Sequence, residues 1–503
     1  MFVRKKKNPS GIISVQIIDK SSGRYKMLKT IGSSNNLIEI DQFVNKGKAW
    51  IKQKQGILEF DFTNEKKQTE QFLDNIEQVN VKGISLLLGN LFDQIGFNQI
   101  KDKLFKHLVI YRLCFPVSKL KTVDYLKKYQ SILITEDKVY RYLDKLYNTQ
   151  KELIQQVSFN HTLKILDNKM SIVFYDVTTL YFQIEQEDQI RKRGFNKDGK
   201  HQNPQIVLGL LVSIDGYPLA YEVFEGNKYE GHTMLPIIDT FKVKYKLAKL
   251  VIIADSGLLS KANITELQEK GYEFILGARI KNEKQDLKDK ILSLNLKNAE
   301  SKIIEKQDGL KLVVSLSAKR AKKDKHNRER GLQRLEKQIK SGKLNKSNIN
   351  NRGYNKYLKM DGEVKISIDK TKFDEDEKWD GLKGYITNTK LTPKDIIENY
   401  GQLWKIEKAF RISKHDLKIR PIYHRLQRRI EAHISINFAA YKVYKELERQ
   451  LKIRKSGLSP EKAIEIAKTI YSIKVKTPTP NEHIVKTLIL NEEQKQLAKI
   501  FGL

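Results

Sequence analysis

The chain has 503 residues, 40% of them hydrophobic, enough apolar material for several cored domains, which excludes disorder throughout. Lys and Arg number 94 against 60 Asp and Glu, a formal net charge of +34 spread along most of the sequence, so a polyanion is the expected partner. The single cysteine, Cys114, excludes disulfides and cysteine-rich zinc sites, while the absence of any run near the ~18 apolar residues of a membrane span points to a cytosolic protein with no membrane partner.

Residues 1–80 read as an N-terminal β-rich segment, in which GIISVQIIDKSSGRYKMLKTIGSS makes two short strands around a Ser-Gly turn before mixed polar sequence. Residues 81–165 turn helical, with LLLGNLF, KLFKHLVIYRL, VSKLKTVDYLKKY and TEDKVYRYLDKLY recurring at three- and four-residue spacings. Ser118 and Thr135 are placed to cap two of these helices. The short link between them makes the region compatible with a helix-turn-helix presenting Lys138, Arg141 and Lys145, and equally with a plain helical bundle.

From residue 166 the texture becomes strand. SIVFYDVTTLYF sets one carboxylate, Asp176, inside a run that otherwise reads as buried, and an ionised acid taken out of water needs a cation or hydrogen-bond donors to meet it. IVLGLLVS, the Asp215-Gly216 turn and LAYEVFEG form a hairpin. A helix near 232–247 precedes KLVIIADSG, whose nearly continuous apolar run predicts a strand covered on both faces, with Asp255 at its end. A further helix and the strand YEFILGARI follow, so residues 166–280 are α/β, a class in which chemistry collects at strand ends.

Residues 281–390 read as a β-rich, basic insertion. KLVVSLSA, EVKISI and GLKGYITN are its strand candidates, and Lys319–Lys343 carries 11 Lys and Arg against 3 Asp and Glu, either an inert solvated surface or a phosphate contact. In LTPKDIIENYGQLWKIEKAFRISKHDLKIRPIYHR, Thr392-Pro393 with Asp395 is a helix start. Along one continuous helix Tyr400, Glu407 and Lys414 would recur every seven residues, with Arg411 one turn beyond Glu407, all on one face beside an apolar stripe of Leu403, Ile406, Phe410 and Leu417. The bland alternative is a surface ion-pair ladder. Residues 391–450 complete the core begun at 166, and residues 451–503 read as a C-terminal helical segment. Two acids on strands and one on a covering helix suit hard divalent cations, and a pair of them can activate a water or a DNA 3′-hydroxyl for phosphoryl transfer.

YDVTTLYF, the hairpin ending FEGN, the IIADSG strand and the Tyr400, Glu407, Lys414 spacing together resemble the DDE transposases of bacterial insertion sequences, in the branch with a Tyr-Arg-Glu-Lys signature. The resemblance covers roughly 170–440. It implies a ribonuclease-H-like α/β catalytic core with a β-rich insertion, preceded here by the N-terminal β segment and the helical region. It further implies Asp176, Asp255 and Glu407 as catalytic metal ligands for two Mg²⁺ (or Mn²⁺) ions, and Tyr400 and Lys414 as phosphate and DNA contacts. Where the signature's arginine is expected, three residues after Tyr400, this chain has Leu403, and Lys405 or Arg411 is the candidate replacement. Trp379 is a candidate for stacking on a flipped base or for an ordinary core tryptophan. Arg425, Arg428 and Arg429 are further DNA candidates. Thr178, Thr179, Asn227, Glu230 and Thr233 fall near the expected site, with structural hydrogen bonding the expectation for each. The implied activity is cleavage at terminal inverted repeats and joining of the 3′ ends to target DNA. Double-stranded DNA is the implied partner, handled by a homodimer in the nucleoid. The alternatives are a structure-specific nuclease or resolvase of the same fold and a catalytically inactive, transposase-derived DNA-binding protein.

Overall fold

A computed structural model describes residues 1–55, 65–196, 199–247, 249–258, 260–350, 353–361, 365–477 and 482–503. The chain divides into two units, one of Met1–Glu77 with Lys474–Ile484, the other of Gln78–Ile473 with Val485–Leu503. In the first, strands β1 (Phe2–Lys7), β2 (Ile13–Asp19) and β3 (Lys26–Ser34) form an antiparallel sheet with β2 central. Helix α1 (Leu37–Lys54) lies on that sheet, in sequence that its polarity marks as irregular. Its start is set by Asn36, whose side chain accepts the Ile38 N–H at 2.9 Å, and Ile40, Gly47 and Ile51 make its buried stripe.

The second unit opens with five helices: α2 (Gly83–Ile95), α3 (Lys103–Cys114), α4 (Lys119–Gln130), α5 (Glu136–Thr149) and α6 (Lys151–Ile165). Ser118 and Thr135 cap α4 and α5 as their positions predict, accepting the Lys121 and Lys138 N–H groups. Tyr142, Leu143 and Leu146 bury one face of α5, while Lys138, Arg141 and Lys145 are exposed, Lys145 pairing with Asp102.

An eight-stranded mixed sheet follows. It comprises β4 (Ile172–Tyr181), β5 (Gln205–Ser213), β6 (Pro218–Glu225), β7 (Val251–Ala254), β8 (Glu273–Ala278), β9 (Ser301–Glu305), β10 (Lys311–Leu316) and a last strand, Leu382–Thr387. Its order is β9, β10, Leu382–Thr387, β8, β7, β4, β5, β6. The meander β4–β5–β6 is antiparallel, and β7 and β8 add to β4 in parallel. Helix α7 (Met234–Tyr245) joins β6 to β7, and α8 (Lys261–Glu269) joins β7 to β8.

Strand alternation divides the core. Val173, Tyr175, Val177, Ile252, Ala254, Phe274 and Leu276 pack with Met234, Ile238 and Phe241 of α7 on one face. Phe174, Leu180, Ile253 and Ile275 point the other way, into the cluster shared with residues 396–451. Near-continuous burial in β4 and β7 is the physical consequence of helices covering both faces.

Two sequence expectations need correction. Residues 281–390 are not one separate β-rich insertion, because Leu382–Thr387 hydrogen-bonds onto β8, β10 onto Leu382–Thr387 and β9 onto β10, which extends the main sheet. What leaves the sheet lies between β10 and Leu382. It contains α9 (Ala318–Lys340), which is the basic run folded as a helix, the hairpin β11 (Leu358–Asp361) and β12 (Lys365–Ile368), and α10 (Lys370–Glu377). Leu335, Tyr357 and Leu358 form a small core of its own. With that hairpin placed, Leu382–Thr387 is β13. Likewise residues 451–503 are not all helical: α-helices Pro460–Lys468 and Glu492–Phe501 flank strands Tyr471–Lys476 and His483–Leu488, whose YSIKVK and HIVKTL alternate with strand period. No helix among the described residues is long and apolar enough to cross a membrane.

Candidate active site

Register brings the first two acids together. In the parallel pair, Ile172 lies beside Val251 and Tyr175 beside Ala254, so the next residue in the chain after that last pair is Asp176 on one side and Asp255, just past the end of β7, on the other. Adjacent strands are about 4.8 Å apart, and both acids fall two residues beyond Phe174 and Ile253, on the face that looks toward residues 396–451. Asp176 is half-buried, and its Oδ1 accepts the Val177 N–H at 2.8 Å. Asp255 is exposed where β7 gives way to the short turn Ser256–Leu258.

The covering element is α11 (Pro393–Gly401), then α12 (Trp404–Arg411), then a π-helical turn, Ile412–Asp416. A single helix through Lys414 is therefore not what forms, and the seven-residue face drawn from 3.6 periodicity does not exist as such. The break near residue 402 and the wider π turn re-aim each side chain; π turns of this kind are frequent at functional sites. Ile406, Ala409 and Phe410 anchor α12 in the core while Glu407 is exposed at the edge of that stripe.

Tyr400, the expected phosphate contact, meets a carboxylate of the protein. Only 5% of it is exposed, its hydroxyl donates to Asp255 Oδ1 at 3.1 Å, and its ring meets Tyr385 edge-on at 4.9 Å between centroids. Burial, then the neighbouring Asp255 and Glu407 carboxylates, push its phenol pKa above the usual range, so it stays a donor. Lys383 on β13 stands over the Tyr400 ring, 4.4 Å from its centroid. Burial holds its ammonium below the ordinary lysine range against the opposing pull of Asp255 and Glu407. Both acids thus act on the same two side chains. Lys383 went unnoticed in the sequence, where GLKGYITN signals only a strand; the available signal was a lysine in an alternating strand otherwise apolar.

The expected DNA contacts scatter. Leu403 is buried in the core, so the signature arginine's place faces apolar side chains. Lys405 is turned away, donating to the Ile214 carbonyl at 2.6 Å in the β5–β6 hairpin turn. Arg411 and Arg425 are exposed. Lys414 lines a small cavity with Thr178, which lies two residues beyond Asp176 on its face of β4. Arg428 donates to Asp144 Oδ1 at 2.8 Å and Arg429 binds both oxygens of that carboxylate at 2.9 Å, so both serve internal ion pairing with α5. Trp379 is partly buried against the α7-side core and borders a cleft with Lys281, Lys288, Lys356 and Lys372.

Of the flanking polar residues, Thr233 is fully buried, accepting from the Tyr175 hydroxyl at 2.8 Å and donating to the Glu230 carbonyl at 2.6 Å. Thr179 is buried with no partner for its hydroxyl, and Asn227 is exposed. A Cβ added at Gly257 would lie 3.6 Å from Glu230 Oε2, which sets a further carboxylate beside the turn after Asp255. Lys319, Arg320 and Lys323 at the start of α9 border one cleft with Lys383 and Tyr385, so part of the basic run lies beside Lys383.

Three carboxylates offer hard oxygen donors, the set that divalent cations such as Mg²⁺ take. Among the described residues no three acids, histidines or cysteines close into a ready ligand cage. The fit rests instead on the adjacent Asp176 and Asp255, with Glu407 held by the element that covers them. A family model described as a transposase DDE domain matches residues 167–442. No curated protein matches. Among solved structures, the piggyBac transposase synaptic complex with hairpin DNA is similar over 80% of this chain and 79% of that one, at 10% identity and a TM-score of 0.39. The Mos1 transposase paired-end complex with left transposon end is similar over 31% of this chain and 53% of that one, at 12% identity and a TM-score of 0.16. The family match spans more than half of the sequence and takes in the strands and helix that carry all three acids, which makes this chain a member of the transposases with a DDE domain.

Proposed function

We propose that the protein cuts DNA at the terminal inverted repeats of an insertion sequence and joins the freed 3′ ends to target DNA, on a ribonuclease-H-like core. The strand order, an antiparallel meander followed by two parallel additions, supports that fold assignment. Asp176, Asp255 and Glu407 are the proposed holders of two Mg²⁺ (or Mn²⁺) ions. When bound, such ions lower the pKa of an attacking water or 3′-hydroxyl and stabilise the departing oxygen. The chain's own side chains do the rest. Tyr400 holds one oxygen of Asp255 and so orients that carboxylate, and Lys383 offsets the negative charge of Asp255 and Glu407 until a phosphate arrives. Exposed Lys138 and Arg141 on α5, with the α9 lysines, are the proposed duplex contacts, and α4–α5 the proposed helix-turn-helix. Two element ends must be joined in one event, so the working form is proposed to be a dimer on DNA, in the nucleoid.

The observation that carries this reading is that Asp176 and Asp255 each follow directly on the last parallel pair, Tyr175 with Ala254, on the face toward the segment that bears Glu407. The test supplies a duplex bearing the element's end and a target plasmid, with Mg²⁺, Mn²⁺ or a chelator. Ion-dependent cutting with joined products supports a transposase. Cutting without joining would make the protein a nuclease or resolvase, and binding without cutting an inactive derivative.

Two further outcomes are expected. Tyr400→Phe removes the donor to Asp255 and should slow cleavage by about 10–100-fold. Gly277→Ala should act in the same direction with the hydroxyl still present, because its added Cβ would sit 2.4 Å from the Tyr400 oxygen and displace it. Single-turnover cleavage rates check both, and an unaffected Gly277→Ala would remove Tyr400 from the mechanism. Lys383→Met should lower the concentration of divalent ion needed for half-maximal rate, since a competing positive charge is gone. It should also reduce the salt dependence of DNA binding by about one counterion, read from the slope of log affinity against log salt.

A further inference from the structure

Away from the acids, a cavity of about 580 Å³ opens between the start of α4, residues 418–424 and the long helix Gln427–Ile453. Its lining is cationic: Arg112, Lys119, Lys418 and Arg420 face it with His424 and His433, and no carboxylate does. Arg112, Lys119 and His433 are each 5% exposed. Buried cations ordinarily have an acid opposite them. Here the Arg112 guanidinium makes one long bond, 3.5 Å to the Lys418 carbonyl. Lys119 Nζ meets His433 Nδ1 at 3.3 Å, and with the imidazole proton on Nε2, donated to the Ile419 carbonyl at 2.9 Å, Nδ1 is an acceptor. That leaves two of the three ammonium protons of Lys119 without an acceptor among the described residues.

Backbone geometry adds to the same pole. Ser118, Lys119 and Leu120 line the cavity at the start of the 12-residue α4, where first-turn N–H groups have no intrahelical acceptor and the helix end carries partial positive charge. The burial penalty appears in the protonation equilibria: burial and then the Arg112 charge hold Lys119 below its ordinary range, burial and then the charges of Lys119 and Arg112 do the same to His424 and His433, with Asp144 opposing at His424, and burial lowers Arg112 to about 10. A dianionic or monoanionic oxyacid placed among these donors would satisfy them and restore the charge balance.

We propose that this cavity is a phosphate-binding site, distinct from the carboxylate centre, which takes a backbone phosphate of the DNA that the protein handles. The DNA assignment rests on the proposed function, while the phosphate chemistry rests on the cavity alone. Position favours DNA over a free metabolite. The lining segment 418–424 follows directly on the π turn that bears Lys414, Arg420 lies over the Tyr181 ring at the carboxyl end of β4, and exposed Tyr423 stands at the rim. A strand engaged at Asp176 could therefore continue into this cavity.

The test uses the full chain and Lys119→Met, a change of similar length that removes a buried charge and so should not impair folding. In chloride buffer the variant is expected to melt at or above the wild-type temperature. Replacing chloride by inorganic phosphate at constant ionic strength should raise the wild-type midpoint and leave the variant unmoved. Affinity for a duplex, read by fluorescence anisotropy without divalent ions, should fall about tenfold in the variant. Equal phosphate stabilisation of both proteins, or a variant that melts well below the wild type, overturns the site. Phosphate stabilisation lost in the variant with duplex affinity unchanged overturns the DNA assignment in favour of a free phosphate compound. Asp176→Asn measured alongside keeps duplex and phosphate binding whatever its cleavage, so failure of the catalytic reading is read separately.

Discussion

Asp176→Ala, Asp255→Ala and Glu407→Ala are each expected to reduce strand cleavage by about 10³-fold or more while duplex binding is retained or tightened. The direction of the second effect follows from charge. A carboxylate near a bound phosphodiester repels it, and the chain is already +34, so removing one acid cannot weaken a complex held by cations. The size of the first follows from placement. Asp176 and Asp255 each follow directly on the last pair of the parallel register, Tyr175 with Ala254, so an ion held between them would lose one of these two ligands with either change. Glu407 comes from a separate element, and Glu407→Gln should already show most of the loss because charge, not shape, is what it contributes. Cleavage assays with Mg²⁺ and anisotropy with Ca²⁺ or a chelator separate the two readouts. Full activity in any one variant, or loss of binding in all three, would remove the carboxylates from the chemistry.

Gly226→Ala should destabilise the fold at the upper end of the ~1–3 kcal/mol typical of overpacking. A Cβ there would lie 2.0 Å from the Gln205 carbonyl oxygen and 2.3 Å from that of Lys192, both backbone atoms that cannot turn aside. The crowding has a structural purpose. Gly226 N–H donates to the Ile190 carbonyl at 3.0 Å, its own carbonyl accepts from the Gln205 side chain at 2.9 Å, and Gln205 pairs with Lys192 in an isolated bridge. Three chain segments therefore meet at the end of the β5–β6 pair, which explains the glycine in FEGN. The midpoint of urea unfolding should drop with the slope unchanged. Gly401→Ala is the control: nothing lies within 4 Å of its added Cβ in α11, and alanine there should be neutral or stabilising by up to about 1 kcal/mol. Similar midpoints for the two variants would refute the close-approach account.

Much of the site was legible locally. Asp176 interrupts an apolar strand and Asp255 terminates another, and the caps at Ser118, Thr135 and Thr392 mark helix starts by residue type alone. Tyr400 shows where such reading stops. Its spacing from Glu407 is a fact of sequence, but whether a tyrosine hydroxyl meets solvent or Asp255 depends on where β7 and β13 pass beneath it. Arg428 and Arg429 are alike in this respect, since basic side chains at a helix start look free until α5 brings Asp144 to them.

Composition, strand and helix periods and capping residues are properties of a few consecutive positions, and they determined most elements of the α/β core and the placing of Asp176 within a strand and Asp255 at the end of one. Tertiary structure alone decided that β9, β10 and β13 continue the sheet, that the helix under Glu407 breaks and widens at Ile412–Asp416, and that Lys383 joins the carboxylates. Those outcomes depend on pairing between residues far apart in the chain, where register and burial, rather than any local pattern, set which side chains share one volume.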